Sequence, residues 1–190
     1  MLVLGINTCL ATADLALVQN GKVVATRLDA APRGHEARLP ALLNDLMAEA
    51  ELTLGDLDRI AVVTGPGSFT GIRIGVSFAR GLALALKADI VGLTALEAGI
   101  DREDKSAVRA AMPAKKRPPD RTWWVQSLKD GLGVDDVVEV SAEQLGDTVE
   151  ATPNATWAAL KAVHATPHAH PPRPTYARAP DAKPMDARKL

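Results

Sequence analysis

Leu2 to Ile6 is a short apolar run suited to a buried strand, and Ala13 to Val18 is a second, reached through the polar turn around Thr8–Thr12. Asn20-Gly21 parts the second run from Lys22–Leu28. Both residues tolerate positive φ, so the pair predicts a two-residue hairpin, and the chain should open with three antiparallel strands. From His35 to Leu52 the period changes. Leu39, Leu42, Leu43, Leu46, Met47 and Ala50 recur at spacings of three and four, with Glu36, Arg38, Asn44, Asp45 and Glu49 between them, which predicts an amphipathic helix. Arg59 to Thr64 is a β-branched strand that runs into Gly65-Pro66-Gly67-Ser68, a turn that cannot be helical. A long helix should follow over Phe69–Leu86, then a strand over Ile90–Leu93.

The second half is patterned more weakly. Residues 101–121 are charged and contain proline, and Lys115-Lys116-Arg117-Pro118-Pro119 looks like a break. Thr122–Leu128 and Asp136–Val140 read as strands around the Gly131–Gly133 turn, and Ala155–Ala165 as a short helix. From Pro167 onward Pro and Ala dominate without period, which predicts an extended, partly disordered tail. The expected division is a first lobe over 1–98, a smaller second lobe over 99–166 and a tail over 167–190.

Composition narrows the picture. Hydrophobic residues are 47% of the chain but aromatics only 3%, so the core must be aliphatic. A formal net charge of −1 gives no global pull toward nucleic acid or membrane. Cys9 is the sole cysteine, which excludes an intramolecular disulfide and a CxxC zinc site and fits a reducing cytoplasm. The opening residues lack a basic segment and are interrupted by Asn7, Thr8, Thr12 and Asp14, unlike a signal peptide. No uninterrupted apolar run approaches the roughly 20 residues of a bilayer span, so no membrane partner is expected.

Five features can carry chemistry. The loop GPGSFTG over Gly65–Gly71 joins a strand to a helix, and Gly65, Gly67 and Ser68 can face a phosphate there. It is no Walker motif, since Ile72 follows Gly71, and a tight turn with Ser68 as N-cap explains it equally. In the helix beyond, Gly71, Gly75, Ala79 and Ala83 form a small-residue stripe beside Arg73, Ser77 and Arg80. Two glycines inside a helix cost about 1 kcal/mol each, so another backbone should come close: this chain's own sheet or first helix, or another subunit. Asn7, at the end of the first strand, stands where phosphotransferases place a magnesium-binding carboxylate, and a neutral amide binds hard cations poorly. Cys9 beside it suits a small buried residue better than a nucleophile. His164, His168 and His170 cluster in the tail without an evident supporting shell, and Lys115-Lys116-Arg117 and the basic tail could at most support phosphate contacts. No Ser/His/Asp set and no HExxH motif can be assembled.

Taken together, VLGINTCLATADLALVQNGKVV, RGHEARLPALLNDLMAEAELTLGDLDRIAVVTGPGSFTGIRIGVSFARGLALAL and VGLTAL are similar to the first lobe of the TsaB (YeaZ) family over about residues 1–98, with GPGSFTGIRIG the most specific piece. The resemblance implies an actin/hexokinase-like (ASKHA) α/β fold with a ribonuclease H-like first lobe. In the second half, WWVQSL resembles the strand pair opening the second lobe, and Pro174-Thr175-Tyr176-Ala177-Arg178 the family's closing P-x-Y-x-R. The stretch between Leu145 and Thr156 is short for this family, so the second lobe is expected to be cut down.

The family belongs to the system that places threonylcarbamoyl on N6 of the adenosine beside the anticodon. The resemblance implies an accessory subunit without catalytic residues or metal, supporting the related transferase TsaD and joined by the ATPase TsaE. It also implies self-pairing when alone, indirect contact with tRNA, and nucleotide only at an interface with the catalytic partner. The implied partner surface is formed by the first-lobe helices: His35, Glu36, Arg38, Leu39, Leu42, Leu43, Leu46, Gly71, Ile72, Arg73, Gly75, Val76 and Ala79. The catalytic relative carries an HxxxH metal pair after the strand that follows the second helix, and Ala95 and Gly99 stand at those positions here. Asn7 departs from the family, where Asp is common. An ATP-using or peptidase-like enzyme of the same fold, or a reduced paralogue with another binding role, is the alternative.

Overall fold

The computed structural model describes residues 1–30, 35–101, 108–115 and 121–177. Strands β1 (Leu2–Asn7), β2 (Ala13–Gln19) and β3 (Lys22–Asp29) form an antiparallel meander, and β4 (Arg59–Val63) and β5 (Asp89–Leu93) add parallel to β1. The sheet order is β3-β2-β1-β4-β5. Asn20 and Gly21, both at positive φ, make the hairpin turn. Helix α1 (His35–Glu49) packs on β2 and β3, and α2 (Phe69–Leu86) on β4, β1 and β5. α1 stops three residues short of the sequence expectation, because Glu51 turns left-handed (φ 55°) and Leu52 N–H bonds back to Met47 C=O. α2 has the expected bounds: Ser68 Oγ accepts from Gly71 N–H at its start, and Lys87 turns left-handed at its end.

By length and composition α2 is apolar enough to cross a bilayer, contrary to the expectation that no apolar stretch approaches that length. Here Gly71, Ile72, Gly75, Val76, Ala79 and Ala83 lie buried along one stripe, and Arg73 and Arg80 stand exposed on another. That is the pattern of an amphipathic helix resting on a sheet.

The second sheet has the order β10-β6-β7-β8, with β9 pairing the other half of β7's free edge. Its members are β6 (Val108–Lys115), β7 (Thr122–Lys129), β8 (Leu132–Gly133), β9 (Val138–Ser141) and β10 (Val149–Glu150). β6 corrects the reading of 101–121 as a charged connection. Pro113 sits inside it next to a register shift. The partner on its other side, β10, reaches only Ala110 and Ala111, so the missing N–H falls on an unpaired edge.

Helix α3 (Ala155–Ala162) follows in the chain but packs on β1, β2 and β4 of the first sheet. Gly5 makes room for it: a Cβ there would collide with the Ala155 carbonyl. Arg59 ties down its far end, donating from Nη1 to the Ala162 and Ala165 carbonyls at 2.7 and 3.0 Å and from Nη2 to Asp89. Among the described residues the second sheet therefore has no α-helix packed on it as its own. Residues 170–176 are not loose either. They return to the first sheet, with Gly92 N–H bonded to His170 C=O and Thr175 N–H to Thr64 C=O, both at 2.8 Å.

Candidate functional site

The first-strand turn is closed on itself. Asn7 Nδ2 donates to Asp14 Oδ1 at 2.7 Å and to the Pro153 carbonyl at 3.1 Å, while its Oδ1 accepts from Cys9 N–H. Every polar atom of the amide is engaged in joining β1 to β2 and to the segment before α3. Cys9 is buried, and burial first, then the charge of Asp14, pushes its thiol up to about 12. A thiol held there is protonated at neutral pH and cannot act as a nucleophile.

Two N–H groups of the GPGSFTG loop, those of Ser68 and Gly71, are taken up within the turn. Ser68 N–H bonds to the Cys9 carbonyl at 2.7 Å, Gly71 N–H to Ser68 Oγ, and the space where Gly67 lacks a side chain is filled by Cys9 C=O. A carbonyl oxygen at that place repels a phosphate. Gly65, Gly67 and Ser68 thus form the capped turn, and their geometry does not suit the phosphate-facing role.

Asp14 is a half-buried carboxylate at the start of α3. It accepts from Ala155 N–H as well as from Asn7. Burial raises its carboxyl from 3.8 to about 6, against the lowering effect of those two hydrogen bonds. An acid whose folded value lies above its unfolded one binds more protons when native, so its contribution to stability is full below about pH 4 and declines up to about pH 6. Asp14→Asn removes that titration. Measured by urea unfolding, stability should shift in favour of the variant, relative to the native chain, by up to about 3 kcal/mol between pH 4 and pH 7. A constant difference across that range would show that Asp14 does not titrate as described.

The positions of the implied metal pair are filled by protein. Ala95 is fully buried, and a Cβ on Gly99 would lie 2.7 Å from Ala151 Cβ and 2.8 Å from Thr152 N. Among the described residues no three His, Cys, Asp or Glu side chains gather as metal ligands, and His164 and His168 are exposed.

The implied partner surface is largely interior. Leu39, Leu43 and Leu46 are buried in the core. Gly71, Ile72, Gly75, Val76 and Ala79 are the face of α2 turned to this chain's own sheet. The close approach that the glycines implied is internal, since Thr8 occupies the space at Gly71 and Gly75 and donates from Oγ1 to Gly71 C=O at 2.7 Å. Arg38 and Leu42 are half-buried, with Arg38 Nε on Asp29, and the side chains of His35 and Glu36 lie outside the described residues. So do Lys116, Arg117 and Arg178.

The outward face keeps Arg73 and Leu39 of that set and adds Ile74, Ser77 and Phe78. Arg73, Ile74, Ser77 and Phe78, with Leu39 at the floor, line an apolar groove of about 370 Å³ between α1 and α2. Ile74 and Phe78 were missed, although their spacing of four, out of phase with Gly71 and Gly75, marks a second apolar stripe on α2. At the groove's end Arg73 lies 4.0 Å over the Phe69 ring and donates to the Tyr176 hydroxyl at 3.0 Å.

A polar cleft of about 340 Å³ separates the lobes. Its floor is Glu97, buried, which accepts from Thr94 N–H and Gly133 N–H, and Thr94 Oγ1 donates to Gln126 Oε1. Lys161, also buried, donates to the Glu97 carbonyl. Neither Glu97 nor Gln126 stood out in sequence, because the bonds that bring the two sides of the cleft together, Gly133 N–H to Glu97 and Thr94 Oγ1 to Gln126, each span more than 30 residues.

Residues 29–113 match the family profile described as TsaD, tRNA N6-adenosine threonylcarbamoyltransferase. The chain is 30% identical over 138 residues to the tRNA threonylcarbamoyladenosine biosynthesis protein TsaB of Escherichia coli, an alignment covering 70% of this chain and 58% of that protein. It is 38% identical over 113 residues to the tRNA N6-adenosine threonylcarbamoyltransferase of Lawsonia intracellularis, covering 52% and 32%. It therefore spans between a third and three fifths of the length of these relatives. The solved structure of YeaZ from Pseudomonas aeruginosa superposes with a TM-score of 0.73 at 23% identity, over 92% of this chain and 99% of that one.

Proposed function

From the chain's homology to the TsaB (YeaZ) proteins, we propose that it is an accessory subunit in the formation of N6-threonylcarbamoyladenosine in tRNA, a scaffold that pairs with the transferase and does no chemistry itself. The observation that carries this reading is the apolar α1–α2 groove around Ile74 and Phe78, in a lobe where Ala95 is fully buried and Gly99 is packed against Ala151 and Thr152. An uncovered apolar groove of that kind is suited to burial against another protein. The same groove would serve self-pairing in the free chain. The engagement of Ser68 and Gly71 N–H within the turn, with the Cys9 carbonyl against Gly67, supports the further reading that nucleotide binds only where the transferase contributes to the site, with an ATPase of the TsaE type joining the pair. tRNA contact would then be indirect, and the cytoplasm is the compartment in which the pair would work.

Co-expression with the host's TsaD-like transferase, followed by size-exclusion chromatography, tests the scaffold reading. The two chains should co-elute. Phe78→Asp should separate them while changing the melting temperature of the free chain by no more than about 2 °C, since Phe78 is only half-buried. Separate elution of the native chains, or threonylcarbamoyl transfer by the isolated chain after a contamination control, would overturn it.

A further inference from the structure

Residues 170–176 follow the segment after α3, pair with the outer edge of β5 at Gly92, bond to Thr64 at the end of β4, and bring Tyr176 to Phe69 and Arg73 at the start of α2. Their backbone is fastened at two points, Gly92 N–H to His170 C=O and Thr175 N–H to Thr64 C=O, and the Thr64 and Thr175 hydroxyls lie 3.0 Å apart. Two glycines are shaped around them. A Cβ on Gly92 would lie 2.6 Å from Pro171 O, and one on Gly65, at φ +104°, 3.0 Å from Thr175 O. The sheet therefore presents a seat to this segment instead of merely tolerating it.

The segment also roofs the polar cleft. His170, Pro171, Arg173 and Thr175 form one wall of it, opposite Glu97 and Gln126. His170 is held only lightly on that side, with Nε2 3.9 Å from Glu97 Oε1. Past the last backbone bond the fastening is Tyr176. Its ring lies 5.4 Å from Phe69, centroid to centroid, and its hydroxyl accepts a hydrogen bond from Arg73 Nε–H at 3.0 Å. Phe69 and Tyr176 are 51% and 48% exposed, so this fastening can be reached from outside, whereas the glycine seats are interior. Arg73 belongs as well to the α1–α2 groove.

We propose that residues 170–176 are a strap that closes the interlobe cleft, and that Tyr176 latches it through Arg73, a residue of the outward groove. The latch is a property of the free chain and stands or falls independently of the pairing proposed above.

Amide hydrogen exchange resolved at Gly92 and Thr175 is the test, because these two N–H groups report the strap directly. Arg73→Ala touches no strap backbone. It should nevertheless speed exchange at both amides about tenfold and leave the β1 amides at their native rates. Tyr176→Phe, which keeps the ring and loses only the hydroxyl, should give a smaller increase at the same two sites. Native exchange at Gly92 and Thr175 in Arg73→Ala would overturn the latch. So would an equal acceleration in β1, which would mark general loss of stability and not release of a strap.

Discussion

Gly75→Ala should lower the stability of the free chain by about 1–3 kcal/mol, although alanine is the better helix former by about 1 kcal/mol. A Cβ on Gly75 would stand closer to Thr8 Oγ1 than non-bonded atoms approach. Thr8 is fully buried, and its hydroxyl already donates to Gly71 C=O at 2.7 Å. To clear the methyl group, Thr8 must rotate and give up that bond, or α2 must lift from the turn. Gly71→Ala should cost more, because the atom in its way is the Thr8 carbonyl oxygen, backbone that cannot rotate aside. Gly81 in the same helix is the control. Nothing lies within 4 Å of a Cβ there, so Gly81→Ala should raise stability by up to about 1 kcal/mol. Urea unfolding of the three variants at one low concentration checks the order. Stabilisation by Gly75→Ala would mean that the stripe does not rest on Thr8 and is free to meet another subunit.

Placing histidines at both metal-pair positions should not make a metal site. In Ala95→His/Gly99→His each imidazole needs space that the interior does not offer. Ala95 is fully enclosed, and its N–H is bonded to Gly65 C=O at 2.6 Å. Gly99 is backed by Ala151 and Thr152, and Thr152 N–H bonds to Gly99 C=O. Overpacking at two neighbouring interior sites, with a polar ring buried at each, should cost about 4 kcal/mol or more, enough to unfold a domain of ordinary stability. The variant should melt cooperatively only at much lower temperature, if at all, and added zinc should not restore the native midpoint. Native-like melting with stoichiometric metal would show that the 151–152 segment yields readily and that the site was lost by ligand replacement alone.

These expectations divide along the range of the interactions behind them. Asn20-Gly21 announced its hairpin because the turn's requirement for positive φ is met by those two residues alone. α2 was readable to its ends because Ser68 caps it locally and its apolar stripe repeats at helical spacing. β6 was not readable. It carries Pro113 and charged flanks, and it is a strand only because β7 supplies a partner along its length. The same divide runs through the candidate site. The absence of histidines at 95 and 99 was visible in the sequence, whereas the neighbours that close those positions, Gly65 at Ala95 and Ala151 and Thr152 at Gly99, are 30 or more places away.

The sequence by itself determined the order of elements in the first lobe and their turns and caps, since these depend on backbone preference and on apolar periodicity within a few residues. It also determined that Gly71 and Gly75 must admit a close neighbour. Only the tertiary structure decided which neighbour. Thr8 reaches both glycines because β1 lies beside β4, the strand that leads into α2, and that choice turned most of the expected partner surface inward and left Arg73, Ile74, Ser77 and Phe78 outside. It likewise decided that α3 belongs to the first sheet and that residues 170–176 return to seats at Gly92 and Gly65. A glycine states that space is needed; what fills the space is set by contacts across the fold, which one chain's local pattern does not encode.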